Sequence, residues 1–459
     1  MIAIAGQPIL TAAAMRAAED RAIAAGSSVG DLMERAGAGI AEAVRRLASG
    51  GEMLVLCGPG NNGGDGYVAA RLLRDAGLPV RVAASGAPAS EAAVAARAAW
   101  GGAVETLDET AAAPVLVDAL FGTGLSRPLD RRLATALARL AGAARLTIAV
   151  DLPSGIDTDT GADLGAAPAD LTLALGAVKP AHLLQPGARH CGAIRLLDIG
   201  IAAPGDRSVI SRPALGPPAI DTQKYSRGMV AVVGGQMAGA SMLAAEAAMR
   251  AGAGYALLLA DAAPAQGPLA LVQRRWSAGA LDDERIGAVV IGPGLGRDAG
   301  RDRLDAAIAG DHALVIDGDA LHLLDDAAFA RFARRERPVV LTPHGGEFAA
   351  LFGARSGSKI DAAGAAAKRA GATIVFKGPD TVIAHPDGRA IVAGGASSWL
   401  STAGTGDVLA GAIGAMLAAG VSDAAAAAVW LHAEAARRLG GAFIADDLAR
   451  ALGAVRAAL

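Results

Sequence analysis

Residues 53–73 read MLVLCGPGNNGGDGYVAARLL. A short apolar run, a glycine-dense loop and a segment of helical length form the pattern of a buried parallel strand that feeds a helix through an anion-binding turn. Gly58, Gly60 and Gly63 allow close backbone approach. Their spacing satisfies G-x-G-x-x-G, but the usual dinucleotide site also needs an acid at the tip of the next strand to hold a ribose. Here that strand runs into VAASGAPAS (82–90), which carries no acid, so a plain dehydrogenase is disfavoured. Asn61, Asn62 and Asp65 instead set amide and carboxylate oxygens beside backbone N–H groups. That mixture suits a nucleotide together with a hard monovalent cation.

The same strand signature recurs outward from this stretch. PVRVAA (79–84), PVLVDA (114–119) and LTIAVD (146–151) alternate with Ala-rich segments, and a second series follows in MVAVVGG (229–235), YALLLA (255–260), AVVIGPG (288–294), ALVIDGD (313–319), PVVLTPH (338–344) and TIVFKG (373–378). Alternating strands and helices predict parallel sheets covered on both faces. The Pro/Gly-rich stretch IAAPGDRSVISRPALGPPAI (201–220) separates the series, so two α/β domains are expected, 1–215 and 216–459. In open parallel sheets ligands bind beyond the carboxyl ends of strands, where this chain repeatedly places Gly or Asp.

Composition narrows the function. Of 459 residues, 53% are hydrophobic, so a substantial core forms and global disorder is excluded. A net charge of −3 gives no pull toward nucleic acid or an acidic membrane, and 3% aromatics argues against base-stacking platforms. The long uncharged run Val408–Val421 is shorter than the ~18 residues a spanning helix needs, and the amino-terminal stretch has no basic region of the signal-peptide kind. Two cysteines, Cys57 and Cys191, make no disulfide framework and suit a reducing cytoplasm. Lysine is scarce: Lys179, Lys224, Lys359, Lys368 and Lys377 are all there are.

Asp118 and Asp151 end predicted strands, in VLVDALFGTGLSRPL (115–129) and IAVDLPSGIDTDTG (148–161). Such an Asp can simply cap the next turn, or it can be desolvated and move protons. GPGNNGGDG, DALFGTGLSRP and VDLPSGID, in that order, resemble the epimerase domain of NAD(P)H-hydrate repair enzymes, as does the opening ILTAAAMRAAEDRAIAAG…LMERAG; the likeness spans about 1–205. The resemblance implies a Rossmann-like domain whose substrate is NADH or NADPH hydrated at C6 of the nicotinamide ring, with the R and S hydrates interconverted. It implies that Asn61, Asn62, Gly63, Gly64 and Asp65, with the turn Gly122, Thr123, Gly124, Leu125, Ser126, Arg127 and Pro128, bind the nucleotide. Asp151 then contacts substrate, while Asn62, Asp118 and Ser154 hold K⁺ and Asp118 is the candidate for proton transfer. Lys179 in GAVKPA either assists or is structural.

In the second half, SSWLSTAGTGDVLAGAIGAMLAAG (397–420) sets Gly404, Thr405 and Gly406 before Asp407 and a long apolar helix. Consecutive N–H groups at a helix start form an anion hole, and Asp407 there can either cap the helix or take a proton from a hydroxyl attacking a phosphate. The arrangement resembles the ribokinase-like fold, which leaves two readings: a sugar- or vitamin-type kinase fused to a nucleotide-binding module, or a hydrate dehydratase. KYSRGMVAVVGG (224–235), AGASMLAAEAAMRAGAGY (238–255), IGPGLGRD (291–298), VIDGDAL (315–321), LTPHGGEFAALFG (341–353) and VFKGPDTVIAHPDG (375–388) resemble the second, over about 224–450. That likeness implies that Ala240, Gly294, His344 and Asp407 contact the hydrated nucleotide. It implies that Lys377, Gly378, Pro379, Asp380 and Thr381, with Gly404, Thr405 and Gly406, bind ADP, with Mg²⁺ on its phosphates. The family's Asn-Pro-Gly-like turn is replaced by Ser397-Ser398-Trp399-Leu400, and His312, His322, His385 and His432 make no metal spacing.

The chemistry has a reason to use a nucleotide. Hydroxide leaves poorly, its conjugate acid having a pKa of about 15.7, whereas a phosphate ester leaves as a group with a pKa of about 6. The expectation is a cytoplasmic, homo-oligomeric metabolite-repair enzyme acting on small molecules, with neither nucleic acid nor membrane as partner. Its first half epimerises the hydrate and its second dehydrates the S form with ADP.

Overall fold

The structure is a computed structural model that describes residues 1–262, 267–298 and 300–459. The chain divides into two compact units, Met1–Val209 and Ile210–Leu459.

The first unit has strands β1 (Met53–Cys57), β2 (Val80–Ala84), β3 (Glu105–Thr106), β4 (Val115–Ala119), β5 (Leu146–Val150), β6 (Leu171–Leu175) and β7 (Ala193–Leu197), paired in parallel in the order β3-β2-β1-β4-β5-β6-β7. A further short strand, β8 (Arg207–Val209), bridges back to Pro8. The helices are α1 (Ala12–Ala24), α2 (Val29–Leu47), α3 (Asn61–Asp75), α4 (Glu91–Trp100) and α5 (Arg131–Ala143). Alternation along β1 explains its unbroken apolar sequence: Met53, Val55 and Cys57 enter one core, Leu54 and Leu56 the other, so both faces are covered. Strand order reverses between β1 and β4, which puts the crevice for a ligand between Gly58–Asn62 and Asp118–Gly122.

One expectation needs correction. Asn61–Asp65 are not a loop before the helix but its first turns, with Gly60 as N-cap. Gly63 and Gly64 cost helix propensity of about 1 kcal/mol each relative to Ala. Packing overrides that, since a Cβ on Gly63 would lie 1.9 Å from the Gly58 carbonyl oxygen and one on Gly64 would lie 2.4 Å from Met33.

The second unit has strands β9 (Met229–Val233), β10 (Tyr255–Ala260), β11 (Val272–Arg275), β12 (Ile286–Ile291), β13 (Ala313–Ile316), β14 (Val339–Leu341), β15 (Thr373–Phe376), β16 (Thr381–Ala384) and β17 (Ala390–Ala393), in the order β11-β10-β9-β12-β13-β14-β15-β16-β17. Its helices are α6 (Ala238–Ala251), α7 (Gly300–Ala309), α8 (Asp326–Phe332), α9 (Gly345–Phe352), α10 (Lys359–Ala370), α11 (Thr405–Ala418), α12 (Ala424–Leu439) and α13 (Ala445–Ala457). The sheet is parallel through β15, and β16 and β17 then pair antiparallel. Only short turns, Lys377–Asp380 and His385–Arg389, join these last strands, and a parallel crossover needs a dozen or more residues. Gly411 of α11 lets its backbone meet that of α6 at Ala244: a Cβ on Gly411 would lie 1.9 Å from the Ala244 carbonyl oxygen.

The tip of β12 is as tightly built. Gly292 has φ +121°, and a Cβ there would lie 1.7 Å from the Asp317 carbonyl oxygen. Gly292→Ala therefore destabilises the second unit by about 2–4 kcal/mol, through a disfavoured φ plus overpacking. Urea unfolding followed on that unit's transition measures it; an unchanged midpoint contradicts the packing described.

Candidate functional site

In the first unit the carboxyl ends of β1, β4 and β5 open into a cavity of about 610 Å³. Asn61, Asn62 and Asp65 line it from α3, Gly122, Thr123, Gly124 and Leu125 from the turn after β4, and Arg16, Glu19 and Asp20 from α1. Gly63 and Gly64 are buried in helix packing, and Ser126, Arg127 and Pro128 lie outside the lining. Asn62, Gly122 and Asp151 converge: a Cβ on Gly122 would lie 2.9 Å from Asp151 Oδ2 and 3.1 Å from Asn62 Oδ1, which is why this turn needs glycine.

Asp118, near the end of β4, sits behind the lining. Its Oδ1 accepts from Ser154 Oγ at 2.7 Å and from the Leu120 N–H at 3.2 Å, and its Oδ2 accepts from the Ser154 N–H at 2.9 Å. The Phe121 N–H donates to the Ser154 hydroxyl at 2.9 Å, so the carboxylate ties the β4 turn to the β5 turn. Burial raises the Asp118 pKa, and the bonds from Ser154 and Leu120 pull it back.

Asp151 is the strand-end carboxylate that lines the cavity. It takes φ +63°, a left-handed backbone that Asp and Asn tolerate better than most residues. Lys179 is buried, and its Nζ donates to Asp151 Oδ1 at 2.5 Å and to the Leu175 carbonyl at 2.6 Å. The Lys179 N–H donates to His182 Nδ1 at 2.9 Å, so the ring proton sits on Nε2, 2.6 Å from the Asp151 carbonyl oxygen it bonds. Burial, with Lys179 beside it, pushes His182 down to about 4, so the ring stays neutral as it locks Asp151 and Lys179 together. Burial also raises Glu19 despite Lys179, and pushes Asp65 well above the carboxylate range, with Asp151 and Glu19 adding to it.

In the second unit the chemistry gathers at the tips of β12 through β15. Asp407 is the third residue of α11, whose N-cap Gly404 has φ +89°. Burial pushes Asp407 up to about 6, with Asp317 adding to the rise and Lys377 opposing it. Asp317 directly follows β13 and is buried; its Oδ1 accepts from Lys377 Nζ at 2.7 Å and from Thr342 Oγ1 at 2.6 Å. Burial works against the Lys377 charge, but Asp317 outweighs it and raises the pKa. The ammonium lies against the start of α11, 3.3 Å from where a Cβ on Gly406 would sit. One cluster thus unites Lys377, Gly406 and Asp407 with Asp317, a residue that sequence reasoning passed over although it repeats the strand-end Asp of Asp118 and Asp151.

Gly294 has φ +62°, and a Cβ there would lie 3.0 Å from the Ala240 Cβ, so these two are neighbours. His344 caps α9: its Nδ1 accepts from the Gly346 and Glu347 N–H groups at 3.0 and 3.3 Å, and its side chain is 60% exposed. Gly378 and Pro379 are exposed, whereas the Asp380 carboxylate turns inward onto Lys359 Nζ at 2.7 Å. Thr405 Oγ1 donates to the Leu400 carbonyl at 2.8 Å, tying the Ser397–Leu400 departure to the anion hole. His432, without a role from sequence, bonds the Thr405 carbonyl at 2.9 Å and is held neutral by burial, at about 4. No group of three His, Cys, Asp or Glu side chains able to hold a metal occurs among the described residues.

Two family models match the chain. One, described as YjeF-related protein N-terminus, covers residues 29–181; the other, described as NAD(P)H-hydrate dehydratase, covers residues 230–454. A bifunctional NAD(P)H-hydrate repair enzyme of Thermofilum pendens is 37% identical over 87% of this chain and 86% of its own. That of Salinibacter ruber is 34% identical over 96% and 94%. Among solved structures, an ADP/ATP-dependent NAD(P)H-hydrate dehydratase from Bacillus subtilis aligns with a TM-score of 0.48 and 28% identity, over 52% of this chain and 93% of that one. Each α/β unit carries its own acid-bearing strand-end site, and the relatives align across both, so the chain belongs to the family of bifunctional NAD(P)H-hydrate repair enzymes, which join an epimerase to a dehydratase.

Proposed function

We propose that residues 1–215 interconvert the R and S hydrates of NADH and NADPH, and that residues 216–459 use ADP to dehydrate the S form, releasing AMP and phosphate. The observation that carries this reading is the pair of separate strand-end sites, one built on Asp151–Lys179 and one on Asp407 with Asp317–Lys377.

In the first site Asp151 and Lys179 meet the substrate and share the proton traffic of epimerisation. Asp118, the acid expected there from sequence, holds the β4 and β5 turns from behind. Asn62, Asp118 and Ser154 fit K⁺ by donor chemistry: their side chains would offer oxygens with one formal negative charge, and Asp118 Oδ2, which accepts a single hydrogen bond, keeps a lone pair for a cation. Bound there, K⁺ would supply positive charge where the β4 and β5 turns meet.

In the second site the Gly404–Gly406 N–H groups and Lys377 receive the phosphates. Mg²⁺ is ordinarily held by substrate phosphates with few protein ligands, and it supplies charge neutralisation there. Asp407 takes the proton of the C6 hydroxyl, whose oxygen then accepts the terminal phosphoryl group of ADP, and AMP leaves. The ring nitrogen's lone pair expels the phosphate from C6, and loss of a C5 proton restores the dihydropyridine.

The test is incubation of mixed R and S hydrate with ADP, Mg²⁺ and K⁺. Full return of reduced-cofactor absorbance, with one phosphate released per turnover, is expected. A stable phosphorylated product instead identifies a kinase, and omission of ADP stops recovery while leaving R/S exchange intact.

A further inference from the structure

Lys359 is the first residue of α10, and its side chain is 7% exposed. A cation there faces the positive end of the helix macrodipole, and burial strips its water. Both are locally unfavourable, and residues that break local rules concentrate where the fold serves a function. Every contact that offsets the cost lies on one stretch of chain. Nζ donates to Asp380 Oδ1 at 2.7 Å, to the Asp380 carbonyl at 3.0 Å and to the Lys377 carbonyl at 3.4 Å, and it lies 4.5 Å from the Phe376 ring centroid. All three ammonium protons have acceptors. Gly378 completes the nest, because a Cβ there would lie 2.7 Å from Nζ.

The ammonium therefore sits behind the turn that links β15 to β16 and gathers its carbonyls. In a trans peptide the C=O and the following N–H point in opposite directions. Holding the Lys377 carbonyl therefore turns the Gly378 N–H away from the ammonium. Lys377 leaves that turn with its ammonium on Asp317 and against the start of α11. Lysine suits the task where arginine does not, since a compact ammonium can point at three acceptors in a tight nest.

We propose that Lys359 is a positioning residue for the dehydratase reaction: without touching the nucleotide, it holds the Lys377–Thr381 turn in the shape that presents the Gly378 N–H and the Lys377 ammonium to a nucleoside diphosphate. This role rests on Lys377–Thr381 being the ADP-binding turn.

The experiment is steady-state kinetics on the full chain with S hydrate and varied ADP. Lys359→Met raises the KM for ADP at least about tenfold, as loss of positioning does, with kcat within about threefold and R/S exchange unchanged. Because one unpaired buried charge can unfold the unit, Lys359→Met/Asp380→Leu is measured beside it. Replacing both charges of a buried pair by apolar groups is commonly neutral or stabilising, so this variant folds while the turn has lost its anchor, and its KM for ADP rises equally. A folded variant of either kind with the wild-type KM overturns the proposal. So does a loss confined to the amount of folded protein, which would make Lys359 purely structural. Lys377→Ala separates the two claims. If it also leaves the KM for ADP unchanged, the turn is not the nucleotide site; if it raises KM while Lys359→Met does not, only the positioning role fails.

Discussion

Asp407→Asn abolishes ADP-dependent recovery of reduced cofactor, lowering kcat about 10³-fold, while R/S exchange by the same molecule continues at the wild-type rate. The size follows from the loss of a positioned general base, which contributes about 10²–10⁴-fold. Asn keeps the shape and the place at the third position of α11 but cannot accept the hydroxyl proton. The wild-type pH profile carries the same signature. Burial and Asp317 hold Asp407 up to about 6, so the base is ionised above that pH and protonated below it. For dehydration, kcat/KM therefore falls about tenfold per pH unit below about 6 and is flat above. Asp317→Asn removes the acid that raises Asp407 and frees Lys377 to lower it, so the acid limb moves to lower pH. An Asp407→Asn enzyme that still returns NAD(P)H from S hydrate at more than a tenth of the normal rate removes Asp407 from the chemistry.

Asp151→Asn slows conversion of R hydrate at least about 100-fold and leaves the S form untouched. Asn is the informative substitution because it tolerates the left-handed backbone at φ +63° and its amide oxygen can still accept from Lys179; since Lys179 loses its counter-charge, the urea midpoint is measured beside the rate to separate lost activity from lost folding. Lys179→Met behaves in the same way, since it removes the partner that donates to Asp151 at 2.5 Å. Asp118→Ala acts in the same direction through structure: it orphans the N–H and hydroxyl donors of Leu120 and Ser154, and about 1–3 kcal/mol of stability goes with each buried group left unpaired. Mixed hydrate separates the outcomes, because a variant damaged only in epimerisation recovers the S share promptly and stalls on the R share. Equal loss of both shares would show that the two sites are not independent.

Lysine usage shows how far the sequence could be read. In a chain that uses arginine almost everywhere, three of its five lysines end up in ion pairs with buried acids: Lys179 with Asp151, Lys359 with Asp380 and Lys377 with Asp317. The scarcity was legible; the pairing was not, because each partner lies 21 to 60 residues away in sequence. Asp317 was legible in kind, as a third acid directly after an apolar strand, yet only the register of β13 between β12 and β14 brings it to Lys377 and Thr342. The antiparallel pair β16–β17 and the edge strand β11 escaped notice because VQRR (272–275) and AIVA (390–393) are too short to show a period.

Local pattern and long motifs determined the two α/β units, the strand-end placement of acids and glycines, and the family, because strand alternation and turn chemistry are short-range properties of the chain. Tertiary structure alone decided which acid meets the cavity. Asp118 and Asp151 look alike in sequence, but Leu120 after β4 and Ser154 after β5 donate to the Asp118 oxygens behind the cavity, whereas Asp151 takes a left-handed backbone, lines the cavity and is held by a lysine and a histidine from beyond β6. Exposure of a carboxylate depends on what the rest of the chain packs against it.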